Sequence, residues 1–344
     1  MKTIMKTLLV SIASLSLMFS VNAGELSVSG SAKATYNVSS GVEADNGIGI
    51  TNELNFTASG EMDNGFTWAY SMELDPASGG AANNDDTSIV IGMNDMGTLK
   101  VCVSECGNNK KYSWDASAYT SMSDTGTSYG IQYPGDAGAA GTSTIQYHTP
   151  ELPFGTKASF AYNTKMSGDA ASGNAAGSSG NSRQEYSLTS SPIEGLSLAA
   201  HYNKVNDYED GVDTEDQLEE GGSYGLKYAI GNITVGYGKS FQAPEALEAN
   251  RANGATNVEF YENTGISLGY AVNDAVSVSY TRETSEVNYQ TSTTTGYDVE
   301  MDSIQLAYNV GGATLSLARA DVENASYTQD SDLVETIIAM SFAF

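Results

Sequence analysis

The chain has 344 residues, with 42 Asp and Glu against 15 Lys and Arg and a formal net charge of -27. So acidic a balance excludes nucleic-acid binding, which needs basic clusters against phosphate. It favours cations near any opening, although it serves plain solubility equally well. The length suits one large domain, and no linker divides the chain into two compact units.

The first segment reads as a removable export signal. Lys2 and Lys6 form a basic start, Leu8 to Phe19 are mostly apolar, and Val21-Asn22-Ala23 is a small-residue cleavage site. The apolar run is too short for a spanning helix. The expectation is a signal peptide over residues 1–23 and one domain over 24–344; an uncleaved anchor helix is the alternative.

From Glu25 onward one pattern repeats: an alternating segment of about ten residues, then a turn or loop. In the first, Leu26, Val28, Ala32, Ala34 and Tyr36 share one face, and Ser27, Ser29, Ser31, Lys33 and Thr35 the other. Farther on, Phe66, Trp68, Tyr70 and Met72 oppose Thr67, Ala69, Ser71 and Glu73. Tight connections such as Met62-Asp63-Asn64-Gly65 and Val310-Gly311-Gly312 carry residues suited to hairpin turns. They alternate with long loops, the longest over about residues 104–141. The count predicts about sixteen antiparallel strands.

Two sets of tyrosines lie on the apolar parity. Tyr36, Tyr162, Tyr202, Tyr237 and Tyr280 fall toward the long-loop ends, and Tyr147, Tyr228, Tyr270 and Tyr308 toward the tight-turn ends. Two such rings bounding an apolar band match the interfacial girdles of a membrane barrel. The last strand, Leu333 to Phe344, ends on an aromatic with Ile338, Met340, Phe342 and Phe344 on one face. An exposed apolar edge of this kind aggregates in water, whereas a closed barrel in lipid has no edge. A soluble sandwich would bury the apolar face against a second sheet and show tighter loops. The fold expected is an all-β transmembrane up-and-down barrel.

Several segments in order resemble the Gram-negative general porins, most closely their acidic alphaproteobacterial branch. They are E-L-S-V-S-G-S-A-K-A-T-Y at Glu25, N-E-L-N-F-T-A-S-G-E-M-D-N-G-F-T-W-A-Y at Asn52, M-G-T-L-K-V at Met96, S-T-I-Q-Y-H-T-P-E at Ser143 and the terminal F-A-F. The resemblance implies a trimeric water-filled channel in the outer membrane of a Gram-negative bacterium, with no cofactor. Its partners would be small hydrophilic solutes and ions, outer-membrane lipid, two further copies of the chain, and the barrel-assembly machinery, which would read Phe344. It also implies that the third long loop folds inward and narrows the barrel. In the family, acids of that loop face basic wall residues; here the loop carries Glu105, Asp115, Asp124 and Asp136, and parity offers Lys33, Lys100, Arg183 and Lys227 as the wall bases. That basic set is thinner than in many general porins, so a cation-leaning pore is expected. Lys239, Arg282 and Arg319 fall on the apolar parity and are expected to snorkel at the rim.

Cys102 and Cys106 are the only cysteines and sit at the root of the long loop. An oxidising compartment favours a disulfide; two free thiols are the alternative, and a metal site lacks nearby histidines. Acids concentrated between 204 and 220 read as a solvated loop, because no twelve-residue calcium-loop pattern is present. His148 and His201 fall toward opposite ends of the expected barrel, and no nucleophile elbow or phosphate loop accompanies them, which argues against an enzyme. A solute-specific channel and a non-transporting structural or receptor barrel remain the other readings. Sixteen strands enclose a lumen too wide for wall side chains alone to fill, which weighs against a plugged barrel.

Overall fold

The computed structural model describes residues 26–41, 46–76, 82–103, 107–124, 129–135, 143–163, 182–206, 215–247, 257–291 and 295–344. In chain order the strands are β1 (Ser27–Gly41), β2 (Gly47–Glu61), β3 (Thr67–Pro76), β4 (Ala82–Gly92), β5 (Thr98–Val103), β6 (Ser143–His148), β7 (Lys157–Asn163), β8 (Arg183–Ser190) and β9 (Leu196–Val205). They continue as β10 (Glu215–Gln217), β11 (Glu220–Ile230), β12 (Ile233–Ala243), β13 (Ala246–Leu247), β14 (Val258–Ala271), β15 (Val276–Tyr289), β16 (Val299–Val310), β17 (Ala313–Glu323) and β18 (Leu333–Ala343). Sixteen of these close an antiparallel barrel in sequence order; β10 and β13 pair separately as a small two-stranded sheet.

The seam lies between β1 and β18, in register from Ser31↔Ala343 to Gly41↔Leu333. Beyond it, Gly30 and Phe344 exchange two backbone hydrogen bonds of 2.7 and 3.0 Å. A Cβ on Gly30 would lie 2.8 Å from the Phe344 ring and 2.8 Å from the Glu53 carbonyl oxygen. The seam thus needs glycine for close approach. The β16–β17 turn, Gly311-Gly312, has positive φ at both residues, 58° and 87°. That is the requirement of the hairpin turn whose twist matches its strands.

Side-chain parity separates two environments. In β16, Ile304, Leu306 and Tyr308 are exposed while Ser303, Gln305 and Ala307 are buried. Ile48 is 83% exposed and Ile304 68%. No soluble sheet would leave such a band in water, and hydrocarbon is the medium that matches it. Among the described residues no helix is long and apolar enough to cross a membrane; the crossing elements are strands. Three outer-face cations are ion-paired. Lys239 meets Glu262, Arg282 meets Glu300 and Asp302, and Arg319 meets Asp321.

One stretch departs from the expected hydroxyl-rich inner face. On β16 to β18 the inner parity carries Met301, Ala318, Ala320, Val322, Leu333, Ile337 and Ala339, packed with Met122 and Tyr129 of the loop after β5. The interior there is a small apolar core because the loop lies on it and excludes water.

Candidate functional site

The segment between β5 and β6 lies along the inner wall, and the wall satisfies its backbone. The Asn108 N–H donates to Glu185 Oε1 at 2.7 Å. The Ala116 N–H donates to Ser267 Oγ at 3.0 Å and the Ala118 N–H to Ser279 Oγ at 2.8 Å. Tyr119 and Thr120 both donate to Gln305 Oε1, and Gln305 Nε2 returns a bond to the Thr120 carbonyl at 2.7 Å. On the return leg Asn263 Nδ2 donates to the Gln132 carbonyl at 2.8 Å, and Asn203 Nδ2 to that of Gly135. A loop buried in a barrel has no ladder of its own, so polar wall side chains act as its missing strand.

Three buried wall carboxylates hold it further. Glu283 accepts from Ser121 at 3.3 Å, from Ser123 at 3.2 Å and from the Tyr133 hydroxyl. Glu335 accepts from the Tyr129 hydroxyl and from Asn37 Nδ2 at 2.6 Å. Glu185, bound to Asn108, lies 3.1 Å from His201 Nε2, and both side chains are fully buried. None of these glutamates stands out in the sequence. Their only signal is a carboxylate on the inner parity of a strand, which a pore wall would carry in any case.

The expected loop acids divide. Asp115 is partly buried; its Oδ1 accepts from the Ser117 N–H at 3.0 Å and the Ser117 hydroxyl at 2.7 Å. Burial pushes its carboxyl above the ordinary 3.8, and the two Ser117 donors pull the other way. Asp124 is exposed at the end of a single 3₁₀ turn, Met122–Asp124. Glu105 and Asp136 lie outside the described residues.

Three of the four expected wall bases reach the loop or its surroundings, and among the described residues none is in a salt bridge with a loop acid, although Lys227 acts on Asp115 at a distance. Lys227 Nζ donates to the Asp115 carbonyl at 2.9 Å. Lys33 Nζ sits 5.7 Å from the centre of the Tyr119 ring. Arg183 makes a two-pronged pair with Glu219, at 3.0 and 2.7 Å, beside Gly135. Lys100 is half-buried on β5, within electrostatic reach of Asp86 on β4. Beneath the loop, Asp115, Ser117, Lys227, Ser197 and Thr234 line a recess of about 500 Å³. Cys102 is buried on β5, and Cys106 lies outside the described residues.

Around Trp114 the loop rests on β11, β12 and β14, half a ring from β2, β3 and β4. That opposite wall carries Glu53, Glu73 and Asp75, whose carboxylate oxygens lie within 4.8 Å of one another. Sequence parity marks Glu73 as inward-facing, but only the β2–β3 register, which sets Asn55 against Glu73 and Leu54 against Leu74, brings the three together.

A family model described as Gram-negative porin matches residues 9–325. No curated protein matches the sequence. Among solved structures, the anion-selective porin from Comamonas acidovorans superposes with a TM-score of 0.67 at 12% identity, covering 93% of this chain and 100% of that one. A loop-deletion form of OmpT, an outer membrane protein of Vibrio cholerae, gives 0.66 at 13% identity, over 94% and 100%. A mutant of the Rh. blastica porin gives 0.59 at 15% identity, over 93% and 100%. At such identities these likenesses speak for the fold alone.

Proposed function

Because the chain belongs to the Gram-negative porin family, outer-membrane channels for passive diffusion rather than enzymes, we propose that it passes small hydrophilic solutes and ions with a preference for cations. The observation that carries the sign is the carboxylate patch Glu53, Glu73 and Asp75 on the wall facing the loop. Lys33 and Lys100 offset it in part, and Asp86 opposes Lys100. On the loop side, exposed Asp124 and half-buried Asp115 add negative charge, with Glu105 and Asp136 as further contributors. Arg183 adds little field, since Glu219 neutralises it. Size is selected by the gap between loop and wall, and charge modulates it.

The rest of the reading follows the family. Three copies would assemble in the outer membrane after removal of residues 1–23. The assembly machinery would recognise Phe344, and Cys102 and Cys106 would bridge the root of the loop. A planar-bilayer recording under a salt gradient tests the sign. The expected reversal potential is cation-positive; an anion-favouring or null potential refutes the charge assignment.

A further inference from the structure

The loop's firmest seat is made of missing side chains. Trp114 is 4% exposed, and its indole lies against the inner faces of β11, β12 and β14. Gly225, Gly238 and Gly265 form one row across those strands, since Gly225 pairs with Gly238 and Gly238 with Gly265. A Cβ on Gly225 would lie 3.1 Å from Trp114 Cβ, one on Gly238 2.1 Å from Cδ1, and one on Gly265 2.1 Å from Cζ2. The ring therefore spans the row from its attachment on β11 to its far edge on β14. Neighbouring strands stand roughly 4.8 Å apart, so an indole is about long enough to cover them. A fourth glycine, Gly236, makes room for the Trp114 carbonyl, which would be 1.8 Å from a Cβ there. That carbonyl accepts from Ser267 Oγ at 3.0 Å, and Trp114 Nε1 donates to the Lys111 carbonyl at 3.0 Å.

Each of these glycines lies on the inner parity beneath the loop, where bare backbone does not widen the passage. None of the four has the positive φ that only glycine adopts freely. Conformation does not require them; the ring does. The seat faces the acidic wall across the lumen, so the depth of the ring fixes how far the loop stands out into the passage. We propose that Trp114, seated in the glycine row, is the positioning residue that sets the opening between the loop and the wall of β2 to β4. The proposal rests on the channel reading above.

Filling the seat should lift the loop inward. Bringing a 2.1 Å clash to carbon contact distance needs roughly 1.5 Å of displacement. Gly238→Ala and Gly265→Ala should each lower single-channel conductance by roughly a third to a half. Trp114→Ala empties the seat instead, and should raise conductance and open-channel noise. In the Gly265→Ala background, Trp114→Ala should abolish the loss, because the clash has gone.

A second readout uses Trp114 itself. The chain has two tryptophans, so Trp68→Phe leaves Trp114 as the sole emitter. Acrylamide quenching of that emission in the closed barrel should be weak, and should rise about threefold or more in Gly238→Ala as the ring leaves its seat. Unchanged quenching and conductance in both glycine variants would overturn the proposal. If the glycine variants fail to fold, Trp114→Ala, which adds no bulk, decides it: wild-type conductance and noise in that variant also overturn it. Absence of any current from the wild type would sink the channel reading, while quenching would still judge the seat.

Discussion

The sign of selectivity can be worked from the carboxylate patch. Glu53, Glu73 and Asp75 lie close enough to act on a passing ion as one source. At about 8 Å in water a unit charge contributes about 0.5 kcal/mol. Screening at physiological salt, with a Debye length of about 8 Å, lowers this to roughly 0.2 kcal/mol. Each full net charge on the patch is thus worth about 0.2 kcal/mol, enriching cations and depleting anions about 1.4-fold apiece, and repulsion between carboxylates this close keeps the total below three charges. The triple variant Glu53→Gln, Glu73→Gln, Asp75→Asn keeps side-chain shape and should lower the cation-to-anion permeability ratio roughly two- to fivefold. Reversal potentials at two ionic strengths provide the assay, and the effect should shrink at about 1 M salt, where the Debye length is about 3 Å. Swelling of liposomes in a neutral sugar should be unchanged, since only charge has been altered. A permeability ratio that stays put in the triple variant would show that ions do not pass this wall, and the selectivity argument would fail with it.

Asp115 gives a dependence on pH. Its folded carboxyl titrates above the ordinary 3.8, so ionised Asp115 costs the loop stability and protonation recovers it as pH falls through the folded value. Cation preference should therefore begin to decline at a higher pH than an ordinary aspartate would give, and Asp115→Asn should remove that first phase; the same profile in the variant would contradict it. Glu283→Ala removes the buried carboxylate that Ser121, Ser123 and Tyr133 all reach and leaves these hydroxyls only their bonds to one another, at a cost of about 1–3 kcal/mol in all. Hydrogen exchange over residues 121–124 and 129–133 should accelerate roughly 10- to 100-fold, with Glu283→Gln intermediate; unchanged protection would mean the loop is held elsewhere. Gly30→Val should lower the unfolding temperature of the barrel by prising Phe344 from β1, and an unaltered melting curve would show that the terminal ring can move aside at no cost.

Much of the barrel is readable from side-chain alternation. Strand parity, the tight turns and the longer connections between them follow from a period of two broken by turn residues, whereas the inward course of the longest connection is what the resemblance to porins implies. Parity also places Lys33 and Lys227 on the inner face, where the loop meets them. What parity cannot supply is lateral register. Gly225, Gly238 and Gly265 form a row only because β11, β12 and β14 align them, and long loops leave that alignment unspecified in one sequence. Glu283 and Glu335 fail for a related reason. Their partners are Tyr133 and Tyr129, some 150 and 206 residues away, so a carboxylate that anchors a loop looks like one that bathes in the pore. The apolar inner patch of β16 to β18 misleads in the opposite direction, since Met122 and Tyr129 cover it from a distant part of the chain.

The joint between β1 and β18 couples the two most distant strands in the chain. Every other neighbouring pair can meet soon after both members are made, because hairpins close over short stretches. This last join demands the largest loss of chain freedom, and nothing rewards it until it forms. Until then the cylinder is a curled ribbon with two raw margins, each able to seize a margin of another molecule. Sealing is therefore the slow event, and the interval before it is when this protein is most exposed to misassembly.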